Sequence, residues 1–324
     1  MHYAFLLNFF ADKKRLAKVK DAIRGLESRI GSEFVHVHTT EYAGHAGILA
    51  GEYAVRYGGD VLVVACGGDG TVHEVSSALA FTETPMAVLP MGTGNDFARS
   101  VLPEAYYAKP EDVIGRIDRA EIKPIDIMKV DCFDADGKPI PDMCGYSVNI
   151  TSFGLDTLVQ FEAKKITLAA KRLRLIRKNA YSLAVLICFI RGWDFHMKYS
   201  FQLADGKGTA EGETDYILSG ICNGQYYGNG FHPAPGAVLD DGVLDACIVE
   251  DIPVRKALPL IPKYKKGTHL PHPNIRTFRI TGGVISAEDS KHPLKGNYEG
   301  EDFCADKVAI EIRPKALQFA FFSI

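Results

Sequence analysis

The stretch Val61–Glu74, V-L-V-V-A-C-G-G-D-G-T-V-H-E, constrains this chain more than any other. Val61 to Cys66 is an unbroken apolar run of strand length, as a parallel strand covered on both faces requires. It ends in Gly67-Gly68-Asp69-Gly70-Thr71, and a helical segment is predicted from Val72 to Ala80. A strand feeding a glycine turn and then a helix N-terminus is an anion cradle. The glycines let backbone N–H groups approach phosphate oxygens, and the helix dipole favours negative charge there. Asp69 would repel a phosphate unless a cation lay between them, which points to Mg²⁺ held directly or through water. Taken alone, these five residues are equally well read as a tight turn with one solvated aspartate.

A second loop follows the same grammar. Met86 to Leu89 is another short apolar run, and it leads into Pro90-Met91-Gly92-Thr93-Gly94-Asn95-Asp96-Phe97-Ala98-Arg99, where Asn95 or Asp96 suits a helix N-cap. Upstream, Tyr3–Leu7 reads as a strand ending at Asn8. Leu16, Val19, Ile23, Leu26 and Ile30 then recur at helical spacing. Phe34–His38 is a further strand, and Thr40 caps a helix running to Tyr57. The order β-α-β-α-β-α-β-α predicts a doubly wound parallel sheet, in which ligands sit beyond the carboxyl ends of the strands. Both glycine loops fall there.

After Arg119 the pattern changes. Lys123–Val130 is a strand, and strand candidates recur at 195–203, 214–222, 244–249, 275–280 and 308–313. That spacing predicts a mostly antiparallel β-sandwich second domain with one helical insertion. A length of 324 residues favours two domains. The net charge of −3 argues against a nucleic-acid partner. Seven scattered cysteines without a C-x-x-C pair fit reduced thiols in the cytoplasm. Met1-His2-Tyr3 lacks the basic region of a signal peptide, and the apolar stretch from Ala180 to Ile190 is shorter than the ~20 residues that span a bilayer.

Gly67–Thr71 together with Pro90-x-Gly92-Thr93-Gly94-Asn95-Asp96-Phe97-Ala98-Arg99 resembles the diacylglycerol kinase and sphingosine kinase superfamily of lipid kinases, in its soluble bacterial branch. The resemblance implies a nucleotide-binding catalytic domain over 1–123, of phosphofructokinase or NAD kinase type and joined by the tail 314–324, with a lipid-substrate domain over 124–313. It implies ATP bound by Asn8, Thr40, Gly67, Gly68, Asp69, Gly70, Thr71, Gly92, Thr93, Gly94 and Asn95. Asp69 and Asp96 would be catalytic, organising Mg²⁺ and its waters. Leu239-Asp240-Asp241-Gly242-Val243-Leu244-Asp245 is similar to a family segment that holds a structural Mg²⁺ through the Asp241 side chain and the carbonyls of Val238 and Val243. Glu299-Gly300-Glu301 stands where the family has D-G-E, and places Glu301 as general base. The first loop departs from the family's N-P-x-S-G. It keeps Asn8 and the basic Lys13-Lys14-Arg15, but has Phe9-Phe10-Ala11-Asp12 between them.

The resulting expectation is an ATP-dependent kinase acting on a lipid hydroxyl of diacylglycerol type. The expected location is the cytoplasm, with peripheral contact at the inner membrane face through the basic segment Lys164–Lys178, and a homodimer is a further expectation. A solvated helix face explains that basic segment as well. Two alternatives stay open. One is an NAD- or sugar-type kinase sharing only the G-G-D-G turn, and the other is a non-catalytic nucleotide- or lipid-binding relative.

Overall fold

The computed structural model describes residues 1–9, 13–169 and 179–322. β1 (His2–Leu7), β2 (Val35–Thr39), β3 (Val61–Gly67) and β4 (Met86–Pro90) pair in parallel in the order β2-β1-β3-β4. Every residue of β3 and β4 is buried, which is why their sequences are apolar without alternation. The intervening helices are α1 (Lys13–Ile30), α2 (His45–Tyr57) and α3 (Asp69–Leu79). After β4 come three short helices, α4 (Asp96–Val101), α5 (Glu104–Ala108) and α6 (Glu111–Ile114). The chain leaves β1 for β2 on one side and returns to β3 on the other. The crevice of this doubly wound sheet therefore opens between the ends of β1 and β3, where Asn8 and the first glycine loop lie.

Two helix starts differ from the sequence pattern. Thr40 does not cap α2, which begins at His45 after Gly44 in the left-handed region at φ 89. Helix α3 begins at Asp69 and not at Val72. Gly68 is the cap, and its carbonyl accepts N–H bonds from Thr71 at 3.0 Å and Val72 at 3.1 Å. An aspartate is favoured in a first helical turn by the helix dipole, so Asp69, Gly70 and Thr71 join the helix instead of forming a free loop.

β5 (Glu121–Phe133) and β14 (Lys307–Phe321) form an antiparallel ribbon running through both halves of the molecule. A register shift between Arg313 and Leu317 bends it, and Phe319 beyond the bend pairs in parallel with Met86 of β4. Ile125 and Ile127 belong to the core under the parallel sheet, whereas Met128 and Val130 belong to the second core. Ile312 lies in the second core and Leu317 in the first, so the ribbon changes cores on both strands near the bend.

The remaining elements are β6 (Gly145–Ser147), β7 (Ile150–Gly154), α7 (Leu155–Ala169), α8 (Ala180–Arg191), β8 (His196–Leu203), β9 (Thr209–Cys222), β10 (Leu244–Glu250), α9 (Val254–Ala257), α10 (Leu260–Lys266), β11 (Ile275–Ser286), β12 (Leu294–Tyr298) and β13 (Glu301–Ala305). Their pairings are antiparallel, in the order β13-β12-β7-β9-β10-β11-β14. β9 pairs with β8 along its first half and with β7 and β10 along its second, so one long strand serves two parts of the β domain. All seven cysteines are unpaired. Among the described residues no helix is long and apolar enough to cross a membrane.

Candidate active site

The two glycine loops pack directly on one another. Met91 N–H donates to the Gly67 carbonyl at 2.8 Å, and a Cβ on Gly92 would stand 2.5 Å from Gly68 Cα. No side chain fits at Gly92, and one at Gly68 would press on Gly92 Cα at 3.3 Å, which is the close backbone approach glycine permits. Asn95, in the left-handed region at φ 53, ties its loop shut. Its Oδ1 accepts Gly92 N–H at 2.8 Å and its Nδ2 donates to the Gly92 carbonyl at 2.8 Å. Asparagine is among the residues that tolerate this backbone region. Thr93 is exposed on the loop.

Asp69 joins the loops rather than projecting from one of them. Its Oδ1 accepts Phe97 N–H at 3.2 Å at the start of α4, and a Cβ on Gly94 would lie 2.8 Å from its Oδ2. Burial pushes the Asp69 carboxyl up from its ordinary range and the charge of Asp96 adds to that, while backbone N–H groups at the α4 start oppose both. Asn8 Nδ2 donates to Thr71 Oγ1 at 2.9 Å, and Phe9 N–H donates to Thr40 Oγ1 at 3.4 Å. A cleft of ≈180 Å³ is lined by Asn8, Thr40, Gly68, Gly70, Thr71 and Glu74. The chain thus gathers Asn8, Thr40 and the first loop around one crevice. Phe10, Ala11 and Asp12 lie outside the described residues. Glu74 is an addition that the sequence did not single out: its carboxylate accepts Gly44 N–H at 2.7 Å and Ala46 N–H at 3.0 Å, fastening the start of α2 to α3.

Asp96 faces the other way. It is 6% exposed, and its oxygens accept Asn229 N–H at 2.9 Å and Gly230 N–H at 2.8 Å from the second domain. Arg99 Nε lies 3.7 Å away. Each carboxylate oxygen thus accepts one N–H from this backbone loop.

Glu299 and Gly300 form the two-residue turn between β12 and β13, with φ 51 and φ 91. Two successive positive φ angles are the mark of a tight hairpin turn. Glu299 and Glu301 consequently do not share a strand face. Glu299 turns inward, where its Oε1 accepts Ser147 Oγ–H at 2.7 Å and Asn149 N–H at 2.7 Å. Burial, with a contribution from the Asp69 charge, pushes its carboxyl up to about 7 against those hydrogen bonds. Glu301 is exposed at the start of β13, and its charge acts on His73 of α3. Asp302, beside it, is ion-paired with Lys164 of α7. Lys165 pairs with Glu162 at 2.9 Å, and residues 170–178 of the basic segment lie outside the described residues.

The Leu239–Asp245 turn, where a structural Mg²⁺ is expected through the Asp241 side chain and the Val238 and Val243 carbonyls, carries protein contacts of its own. The Asp241 carboxylate is ion-paired with Arg279 through Oδ2 and accepts Val243 N–H at 3.1 Å through Oδ1, while the Val238 side chain is exposed. Among the described residues no group of three or more His, Cys, Asp or Glu could hold a metal. What holds this turn is Asp126, 0% exposed, whose carboxylate accepts Gly242 N–H at 2.6 Å and Lys315 N–H at 2.7 Å. Its role is illegible from sequence because the two partners are 116 and 189 residues away.

An apolar cavity of ≈240 Å³ lies in the second domain between α7, α8, β9 and α10, with Leu155, Val159, Phe189, Trp193, Ile217 and Tyr264 among its walls. Asp156 also lines it. Burial pushes that carboxyl up to about 6, against hydrogen bonds that include the Ser152 and Tyr227 side chains. Gly228 lines the same cavity, one residue before the Asn229-Gly230 pair that Asp96 holds. The cavity wall is therefore continuous with the second glycine loop.

Comparison with known proteins matches both halves. Residues 2–130 match the diacylglycerol kinase catalytic domain, and residues 149–321 match the YegS C-terminal NAD kinase beta sandwich-like domain. A Stenotrophomonas maltophilia protein described as "Probable lipid kinase YegS-like" is 31% identical over 269 residues, covering 81% of this chain and 78% of its own. The chain belongs to the diacylglycerol kinase-type lipid kinases. Escherichia coli K12 "Lipid kinase YegS" is 29% identical to it over 293 residues, with 88% and 85% of the two chains covered. The fold of this lipid kinase is also that of a diacylglycerol kinase from Bacillus anthracis, with a TM-score of 0.64 over 99% of this chain and 97% of that one at 19% identity.

Proposed function

We propose that this lipid kinase transfers the γ-phosphoryl group of ATP to the hydroxyl of a diacylglycerol-type lipid. The observation that carries the reading is the continuity between the apolar cavity, Gly228, and the loop that Asp96 holds next to the glycine cradle. An acyl chain belongs in the cavity and a triphosphate in the cradle, so an alcohol headgroup falls between them. In this reading Asn8, Thr40, Gly67, Gly68, Gly70 and Thr71 bind the nucleotide, with Gly92, Thr93, Gly94 and Asn95 closing over its phosphates.

Asp69 fits a Mg²⁺ that arrives with the nucleotide. Mg²⁺ usually takes one or two carboxylates together with substrate phosphates, so a dedicated protein cage is not required. A cation would also relieve the crowding of Asp69 by the Asp96 and Glu299 charges. When bound, the ion neutralises charge on the transferring phosphoryl oxygens.

Glu301 takes the acceptor hydroxyl's proton as its oxygen attacks phosphorus, and ADP leaves. Its exposed position leaves it open to an incoming alcohol, whereas Glu299 is occupied by Ser147 and Asn149. Asp96 positions the 229–230 loop, and therefore the acceptor.

Incubation with labelled ATP, Mg²⁺ and a panel of diacylglycerols, monoacylglycerols and sphingoid bases tests the reading. Label in the diacylglycerol product is expected. ATP binding without transfer to any lipid would favour the non-catalytic alternative.

A further inference from the structure

Helix α8 has three faces. Ala184 and Cys188 pack with Val159 of α7, and Val185 and Phe189 line the apolar cavity. Leu183, Leu186 and Ile190 form the third face, at helical spacing, and are 38%, 55% and 76% exposed. Across the cavity, α9 and α10 repeat the arrangement. Ala257, Leu260 and Tyr264 face inward, whereas Val254, Leu258 and Ile261 are 39%, 53% and 40% exposed. Ile261 does both, lining the cavity and reaching solvent. The cavity wall reaches the outer surface at Ile261.

Single exposed apolar residues are ordinary, but six on α8 and on the segment of α9 and α10, flanking one cavity, call for a partner. The charges around them state its sign. Residues 254–266 carry Arg255, Lys256, Lys263, Lys265 and Lys266 and no acidic residue, on a chain whose net charge is −3. Lys265 lies over the Phe231 ring at 5.4 Å. Among the described residues none of Arg255, Lys256, Lys263 and Lys266 has a carboxylate within ion-pairing distance, and all four are exposed. An apolar strip bordered by unpaired cations fits the boundary of a bilayer with anionic headgroups.

We propose that α8 with α9–α10 is the surface on which this kinase docks on anionic membranes, with the mouth of the apolar cavity set against the lipid. The inference rests on the lipid-kinase reading for its purpose and not for its physics. A diacylglycerol then moves from bilayer to cavity without crossing water, and its headgroup enters toward the loop held by Asp96.

Co-sedimentation of the full chain with phosphatidylcholine vesicles, with and without phosphatidylglycerol, tests the proposal in the absence of nucleotide. Binding is expected only with phosphatidylglycerol and is expected to fall with added salt. The double variant Lys263→Glu/Lys266→Glu should weaken partitioning by about 10-fold or more, and Leu186→Asp/Ile190→Asp to a similar extent. Both pairs are solvent-facing, so melting temperatures should match the parent. Transfer to a short-chain acceptor in detergent micelles should also stay at the parental level. Parent protein that binds neither vesicle type, or variants that bind as the parent does, would overturn the proposal. Vesicle binding without transfer to any lipid would leave the docking surface standing and remove the kinase reading instead.

Discussion

Glu299 and Glu301 are separated by one glycine yet occupy different media, because the turn at φ 51 and φ 91 sends one carboxylate inward and leaves the other in solvent. Glu301→Gln keeps the size of the side chain and removes its basicity. It should cut turnover by ~10²–10⁴-fold, the scale of lost general base catalysis, with ATP affinity nearly unchanged. Glu299→Gln still accepts from Ser147 and Asn149 and should lose far less; the reverse ranking would make Glu299 the base. A pH series reads Glu299 separately. Its folded value of about 7 lies above the ordinary 4.5, so between those values the folded state holds a proton that the unfolded chain has released. Stability therefore falls as pH rises through this window and levels off above it. The Gln variant lacks that loss, so its melting temperature should draw ahead of the parent's from pH 4.5 to 7. Parallel curves would show that the carboxyl is not perturbed. For Asp69 the consequence of geometry is different again. Alanine there would lower turnover by ~10²-fold and also free the Phe97 N–H, costing about 1 kcal/mol of stability. Asp69→Asn should lose the turnover and keep the stability, and differential scanning calorimetry of the two variants separates charge from capping.

At the scale of elements, the parallel half was legible because its strands are apolar runs ended by glycine, and α1 because its apolar spacing is regular. What escaped was set by contacts distant in sequence. The hairpin β12–β13 reads as one acidic loop in Asn297-Tyr298-Glu299-Gly300-Glu301-Asp302, and only pairing with β7 makes it a strand. β11 runs to Ser286, past the expected end at 280, through Gly282-Gly283. Glycine weakens a strand reading, but here a Cβ on Gly283 would stand 2.5 Å from the Ser200 carbonyl of β8. Helices α9 and α10 are short and interrupted by Pro259 and Pro262, so no helical period shows. The Leu239–Asp245 turn was legible as a turn, yet its support was not. Asp126→Ala removes two hydrogen bonds to a charged acceptor and should cost ~2–4 kcal/mol, whereas Asp241→Ala breaks a largely exposed ion pair worth about 1 kcal/mol or less. Thermal unfolding of both, with and without Mg²⁺, checks the assignment. A Mg²⁺-dependent rise in the parent that disappears only in Asp241→Ala would establish the metal site.

At the scale of the whole molecule, the two halves are joined in two ways with different consequences. The β5–β14 ribbon pairs backbone on both sides of one register shift, with buried residues in both cores, so it fixes the halves without regard to ligand. The contact of Asp96 with Asn229 and Gly230 is small and polar, and it lies where the cavity wall meets the second glycine loop. Asn229 at φ 67 and Gly230 at φ 88 present successive N–H groups to one carboxylate, and a neutral side chain would accept them more weakly. Asp96→Asn should thus leave the ribbon and both cores intact, so melting temperature should change little. The loop itself should loosen, and with it the placement of an acceptor bound against Gly228. Because Asp96 does not line the cleft of Asn8, Thr40, Gly68, Gly70 and Thr71, ATP affinity should remain near the parental value. The loss of about 1.5–3 kcal/mol expected for hydrogen bonds to a charged group corresponds to a ~10–100-fold fall in kcat/KM for the lipid, carried mainly by KM. Steady-state kinetics with lipid and ATP varied in turn distinguish this from a metal role, since loss of a Mg²⁺-organising carboxylate would lower kcat at saturating lipid and leave the lipid KM unmoved.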